Sequence, residues 1–293
     1  MISFARFAMS IIGAVLIGPA LAADGAHDPR VRQVENDVLP AVALKENLER
    51  PASIAQRMQE LGIPGLSIAV IDEGKVSWTR AYGLSDTVEK TPVTTQTLFQ
   101  AGSISKPVAA LGALRLVAEG RLSLDEDVNS KLRTWRVPEN EFTKDDKVTL
   151  RRLVSHTAGL TVHGFPGYAV GSKIPTVVQV LDGTTPANTG PVRVDIRPGS
   201  KYRYSGGGYT VMQLLIADVS GKSFESYMQT QVLDVLGMKS STYAQHMPAA
   251  LAPRMASAHR SDGSRIPGKR HIYPEMAAAG LWTTPSDLAQ YLL

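Results

Sequence analysis

Ser103 and Lys106 stand three residues apart in the stretch AGSISKPVAAL, where an apolar run begins that continues almost to Gly120. On a helix that spacing puts both side chains on one face, within reach of each other. Neither residue helps a core. A serine hydroxyl becomes a useful nucleophile when a neighbour takes its proton. A lysine can be that neighbour if desolvation, a second cation or a dipole lowers its pKa. The start of a helix also offers free N–H groups and a dipole that favours negative charge. The competing reading makes Ser103 an N-cap and Lys106 a solvated first-turn residue. No other serine in the chain has a lysine three residues on.

Tyr204 is the next candidate, in RPGSKYRYSGGGYTVMQLL. A phenol near a lysine can relay protons, and an aromatic packing role fits the same position. Gly206, Gly207 and Gly208 follow it, and three glycines before a helix allow close backbone approach or an adaptable turn. His156, in SHTAGL, suits structural hydrogen bonding better than catalysis. Other chemistries are excluded. There is no G-x-S-x-G elbow. SGKSF at 220–224 lacks the first glycine of a phosphate-binding loop, since Ile216 stands there, and a helix rather than a strand precedes it. The six histidines show no ligand spacing and H-E-x-x-H is absent, so no metal and no cofactor is expected.

The elements that must position these residues follow from periodicity. Residues 49–62 read as a helix closed by Gly62. Leu66, Ile68 and Val70 alternate, Asp72-Glu73-Gly74 turns, and Val76, Trp78 and Arg80 continue, which is a β-hairpin. A helix is predicted from about Ser103 to Glu119, with Val108, Leu111, Leu114 and Val117 on one stripe; Pro107 is tolerable near its first turn. VTLRRLVSHTAGL predicts a second helix with Gly159 at its C′ position. Residues 161–200 are loop-rich, with only PTVVQVLDG helical, and loops that long tend to be functional. Helices are predicted for TVMQLLIADVSG and SFESYMQTQVLDVLGM. MAAAGLWTTPSDLAQYLL reads as a strand, then a helix capped by Thr284 or Ser286. Strands at both ends with helices between predict an α/β (α+β) fold: an antiparallel sheet built from both ends, flanked by helices, with a mostly helical lobe at about 104–258. A site between two lobes would be natural.

The chain has 293 residues, 43% hydrophobic and 20% charged, enough for a sizeable core. Net charge is +4, and no Lys/Arg cluster carries interleaved aromatics, so nucleic-acid binding is not expected. The first residues, MISFARFAMSIIGAVLIGPALAADGAHD, have a basic start at Arg6, a short apolar stretch and Ala20-Leu21-Ala22 before Ala23. That is the pattern of a cleaved export signal over 1–22; a membrane anchor is disfavoured by the short stretch and by Gly18-Pro19. A lead-in segment is read at 23–46 and the main domain at 47–293. The chain has no cysteine, so neither a lipidated N-terminal Cys nor a disulfide can form, and folding rests on packing.

Taken in order, SISK opening a helix, LVSHTAGL, PGSKYRYSGGGY, VLGMKSSTY and AAAGLWTTPSDLAQYLL resemble the serine β-lactamase and penicillin-binding-protein superfamily. The branch is that of class C β-lactamases, D-alanyl-D-alanine carboxypeptidases and related esterases, and the resemblance covers about residues 50–293. It implies a β-lactamase/transpeptidase-like fold and a serine hydrolase, secreted or periplasmic, acting through an acyl-enzyme on an ester, amide or D-amino-acid peptide that is a small molecule or peptide, cell-wall derived among the options. It implies Ser103 as nucleophile, Lys106 as proton acceptor, Tyr204 as the tyrosine of Y-x-N, and the Ser103 N–H as part of an oxyanion hole. Gly206 and Gly207 then fall in the substrate-binding stretch, with Gly206 where the family has asparagine, which puts efficient β-lactam or DD-peptide turnover in doubt. A Lys- or His-containing triad ending in glycine is expected after SDLAQYLL, so the domain reads as incomplete at its C-terminus. The alternative is a non-catalytic peptidoglycan- or ligand-binding module of the same fold.

Overall fold

Alternating apolar residues and a tight Gly-containing turn make the hairpin that the sequence predicts: β1 (Gly65–Asp72) pairs antiparallel with β2 (Lys75–Asp86) in the register Leu66 opposite Tyr82 and Ile68 opposite Arg80. A bulge between Val70 and Ile71 shifts the register near the turn. In this computed structural model, residues 28–39 and 51–293 are described. The chain divides into two units, Met1–Ile54 and Ala55–Leu293.

In the first unit, α1 (Pro29–Asn36) is capped by the Asp28 side chain, which accepts from the Arg30 N–H at 2.8 Å. Val38 and Ala52 form an isolated antiparallel bridge. The lead-in therefore contains a helix, which its polar composition concealed; the export signal predicted over 1–22 lies outside the described residues.

The second unit opens with α2 (Ile54–Glu60), which ends before Gly62 in the left-handed region. A three-stranded sheet runs β1-β2-β3, with β3 at Thr91–Pro92. The strands do not form one sheet drawn from both ends of the chain. The C-terminal segment contributes β7 (Trp282–Thr283), which pairs with β4 (Phe99–Gln100) in a separate ladder. A third ladder joins β5 (Tyr168–Ala169) to β6 (His271–Ile272). The fold class is as predicted: mixed α/β, with small antiparallel sheets and helices around them.

The core is mostly helical. The central helices are α3 (Ser105–Ala118), α4 (Leu150–Val154), α5 (Val177–Asp182), α6 (Gly206–Ser220) and α7 (Phe224–Met228), the last continued by one π-helical turn, Gln229–Leu233. The short α8 (Met276–Ala279) packs on both α3 and α6, and α9 (Pro285–Leu292), capped by Thr284, packs on β1 and β2. Helix α6 is buried along its first eleven residues, Gly206–Ile216, because nearly every side chain there is apolar or absent.

Residues 276–279, read as the start of a strand, instead form α8, and the helix read at 49–62 is confined to Ile54–Glu60. Two further predicted helices differ in detail. In α3 the buried face is Ser105, Lys106, Val108, Ala109, Gly112, Ala113 and Leu116, while Leu114 is exposed. The helix is apolar almost all round, so periodicity alone could not pick the face. The small residues decide it: a Cβ at Gly112 would stand 2.5 Å from the Met228 sulfur. In α4 the left-handed residue that ends the helix is His156 (φ 57), not Gly159. Gly159 lies farther on and serves a close approach, since a Cβ there would meet the Ile196 carbonyl at 2.0 Å.

Candidate active site

The helix that carries Lys106 does not begin at Ser103. Gly102 adopts φ +52, a conformation that a side chain would strain. It starts a single 3₁₀ turn, Gly102–Ile104, that runs into α3. The turn leaves Ser103 exposed while Lys106, one helical turn on, is buried with 5% of its surface accessible. Lys106 Nζ donates to Ser103 Oγ at 3.0 Å and to the Ala278 carbonyl of α8 at 2.8 Å. Burial lowers the pKa of Lys106, and the nearby Tyr204 phenol only partly opposes the shift. No carboxylate pairs with it among the described residues. A neutral amine at this separation has a lone pair for the Ser103 proton.

The start of α3 is held from behind. Ser105 Oγ accepts from the Leu281 N–H at 2.9 Å, Ala101 N donates to the Leu281 carbonyl at 2.9 Å, and Tyr243 donates its hydroxyl to the Ser105 carbonyl at 2.6 Å. Gln213 of α6 ties down α8 from the other side, donating to the Pro274 carbonyl at 2.9 Å and accepting from the Ala277 N–H at 2.9 Å. The Ala278 carbonyl that holds Lys106 is therefore fixed between two helices.

Tyr204 comes from the loop before α6. Lys106 Nζ stands 4.9 Å from the centre of the Tyr204 ring and 5.7 Å from that of Tyr209. Ser205 caps α6 through its Oγ, which accepts from the Gly208 N–H at 2.9 Å and donates to the Thr161 carbonyl at 2.7 Å. His156 stacks on Tyr204 with ring centres 4.3 Å apart, and His163 lies tilted against the same ring at 4.9 Å. Burial, with the charges of Lys106 and His163, pushes the His156 pKa down to about 4, so its imidazole is neutral across the physiological range. Burial pushes Tyr209 up to about 12, and its hydroxyl donates to the Val154 carbonyl at 3.1 Å. Tyr204, about a hundred residues on in sequence, thus joins Ser103 and Lys106 at one locus: an exposed hydroxyl, a buried amine of lowered pKa and a phenol. Residues 52–293 match the Beta-lactamase family model.

The chain belongs to the beta-lactamase family. It is 28% identical over 235 residues to protein flp of Staphylococcus aureus strain MW2, covering 80% of this chain and 44% of that protein. It is 28% identical over 244 residues to a beta-lactamase of Pseudomonas fluorescens, covering 82% of this chain and 62% of that one. Among solved structures, a beta-lactamase/D-alanine carboxypeptidase from Pseudomonas syringae superposes with a TM-score of 0.62 at 26% identity, covering 81% of this chain and 62% of that chain. The octameric penicillin-binding protein homologue from Pyrococcus abyssi gives 0.60 at 26%, covering 82% and 54%. The chain thus spans roughly half to three-fifths of the length of these relatives. The fold is that of the serine β-lactamase and penicillin-binding-protein superfamily.

Within this beta-lactamase family fold, Gly206 and Gly207 differ from the expectation that they line a substrate site. Both lie inside the first turn of α6 and are buried. A Cβ at Gly206 would meet the His163 carbonyl and the Phe165 ring at 3.1 Å, and one at Gly207 would meet Val192 at 2.8 Å and the Thr161 carbonyl at 2.9 Å. Their amides donate to the carbonyls of His163 and Val162, each at 3.0 Å. The segment 161–165 therefore covers the glycines, and a Cβ at 206 would press on the His163 carbonyl and the Phe165 ring. A recess of about 270 Å³ opens beside Tyr204, lined by Leu160, Thr161, Val162, His163, Arg203 and Tyr204. A more apolar groove of about 280 Å³, between β1, β4 and α9, takes in Ala101 and Ile104 but neither Ser103 nor Tyr204. Ser105, Gln213 and the Ala278 carbonyl were not found from sequence, since their roles depend on which helices meet. His163 was hidden in the loop-rich segment, although a histidine there was a legible signal. Among the described residues no cluster of His, Asp and Glu could hold a metal ion.

Proposed function

We propose that the protein is a serine hydrolase that works through an acyl-enzyme on Ser103. The single observation that carries this reading is the Lys106 Nζ to Ser103 Oγ distance of 3.0 Å, made by an amine that burial shifts toward its neutral form. In the acylation step the Ser103 Oγ–carbon bond forms as its proton passes to Lys106. The tetrahedral oxyanion then collapses, the bond to the leaving group breaks, and that group takes a proton delivered through Tyr204. Water attacks the acyl-enzyme in the reverse sense, and the acid leaves. The Ser103 N–H is one donor toward the oxyanion.

The substrate class is an ester, an amide or a D-amino-acid peptide, with small esters preferred. Beta-lactamase and D-alanine carboxypeptidase relatives support acyl transfer from cell-wall-like peptides. The side-chain amide that a residue at 206 would offer to an acylamino substrate is absent, and a Cβ there would press on the His163 carbonyl and the Phe165 ring. A missing partner of that kind costs discrimination in favour of such substrates. The N-terminal pattern ending at Ala20-Leu21-Ala22 supports export to the periplasm or medium. Among the described residues no helix is long and apolar enough to cross a membrane. The test compares kcat/KM for p-nitrophenyl butyrate and nitrocefin, with Ser103→Ala as control. A higher value for the ester, abolished in Ser103→Ala, is expected; a clear preference for nitrocefin defeats the ester reading, and retained turnover in Ser103→Ala defeats the nucleophile.

A further inference from the structure

His156 grips three consecutive residues at once. Its carbonyl accepts from the Arg203 N–H at 2.8 Å, its Nδ1 accepts from the Ser205 N–H at 3.1 Å, and its ring stacks on Tyr204 between them, with centres 4.3 Å apart and planes 28° apart. We propose that His156 is a positioning residue that sets the place and orientation of the Tyr204 phenol over Lys106. The inference rests on the proton-relay role of Tyr204 given above.

The backbone explains how one residue reaches all three. Helix α4 ends at Val154, and His156 follows in the left-handed region with φ 57, while its own N–H donates to the Leu153 carbonyl at 3.2 Å. Glycine or asparagine is the easy choice at such a helix stop. A histidine there carries backbone strain, and strain of this kind clusters where a site uses it. The left-handed turn directs the carbonyl and the imidazole to the same strand of chain. Because Nδ1 accepts, the ring proton sits on Nε2. Around the imidazole stand Lys106 from α3, Tyr209 from α6, Tyr202 and Tyr204 from the preceding loop, and His163 from the 161–165 segment. Burial disfavours the charged imidazole, so Nδ1 stays an acceptor at neutral pH. Protonation in acid would turn Nδ1 into a donor facing the Ser205 N–H and release the loop.

The separate contacts can be removed one at a time. His156→Phe keeps a stacking ring and loses the acceptor; His156→Asn keeps the left-handed backbone and an acceptor and loses the stack; His156→Gly loses both and relieves the strain. In the 293-residue chain, His156→Gly is expected to lower kcat for p-nitrophenyl butyrate about tenfold or more, with KM changed less than about twofold, since small misplacements of a catalytic group act on the chemical step. Its thermal midpoint should stay level or rise, because glycine suits the left-handed position. His156→Phe and His156→Asn should each recover part of kcat. In a Tyr204→Phe background His156→Gly should cost little more. The second readout needs no turnover: the Tyr204 ring resonance in tyrosine-labelled protein, assigned through Tyr204→Phe, should move in His156→Gly as the imidazole ring current is lost. An unmoved Tyr204 resonance, or a kcat loss that is fully multiplicative with Tyr204→Phe, or that tracks a fall in stability, overturns the inference. If Ser103 proves unreactive, the hydrolase reading fails; a Tyr204 resonance that moves in His156→Gly and returns only part of the way in His156→Phe, which restores a stacked ring but not the Nδ1 acceptor, leaves the positioning standing.

Discussion

Glu275 is fully buried at the turn into α8, and neither of its carboxylate oxygens has a hydrogen-bond partner. Burial raises its pKa from 4.5 to about 7; the Tyr168 hydroxyl of β5 moderates the rise without making a hydrogen bond of normal geometry, and Tyr273 is the other titratable neighbour. A raised carboxyl pKa means the fold prefers the proton. Below pH 4.5 folded and unfolded chains both hold it, and it contributes no pH dependence. Between pH 4.5 and about 7 the unfolded chain releases it while the folded chain keeps it, so stability falls as pH rises, and above that range the penalty is constant. At 1.36 kcal/mol per unit the full penalty is about 3 kcal/mol. Glu275→Gln cannot ionise. The difference in unfolding free energy between native protein and variant, taken from urea curves at pH 4.5 and pH 8, should therefore change by about 3 kcal/mol in the direction that favours the variant at high pH. Other carboxylates cancel in that difference. Parallel pH dependences for the two proteins would refute the argument that Glu275 is held neutral.

Lys106→Ala and Tyr204→Phe should each lower kcat by on the order of 10²-fold, and the double variant should lose far less than the product of the two; full multiplicativity contradicts a shared role. Because Lys106 acts when neutral and burial lowers its pKa, kcat/KM should rise with pH through a midpoint below the ordinary lysine range, which a pH profile on a pH-independent ester reads directly. Gly207→Ala places a Cβ 2.8 Å from Val192 and 2.9 Å from the Thr161 carbonyl, so it should cost about 1–3 kcal/mol of stability in urea unfolding; an unchanged midpoint would contradict the packing. Exported protein should begin at or near Ala23 by mass analysis, and a retained Met1 in the membrane fraction would contradict the export signal.

Much of the site was legible because it is local. The S-x-x-K spacing holds on any helix, and the 3₁₀ turn at Gly102–Ile104 alters its entry without separating Ser103 from Lys106. The hairpin and the cap at Thr284 were readable for the same reason. What failed depended on distant partners. Helix α3 is apolar almost all round, so packing such as that of Gly112 on Met228, rather than periodicity, shows which face is inward. The glycines at 206–208 read as a loop by propensity, yet the Ser205 cap and packing under residues 161–165 draw them into α6. His156 took the left-handed position that Gly159 seemed made for. Glu275 looks like any surface acid in YPEMAAAG, and nothing in that string reveals its burial.

The central claim is that Ser103 is the nucleophile. The 293-residue chain is treated with a fluorophosphonate, digested and mapped by mass spectrometry. One adduct on the Ser103 peptide, with fluoride displaced, no labelling in Ser103→Ala and much slower labelling in Lys106→Ala, is the predicted result. Labelling at another serine, with Ser103→Ala still reacting at the native rate, would contradict the account.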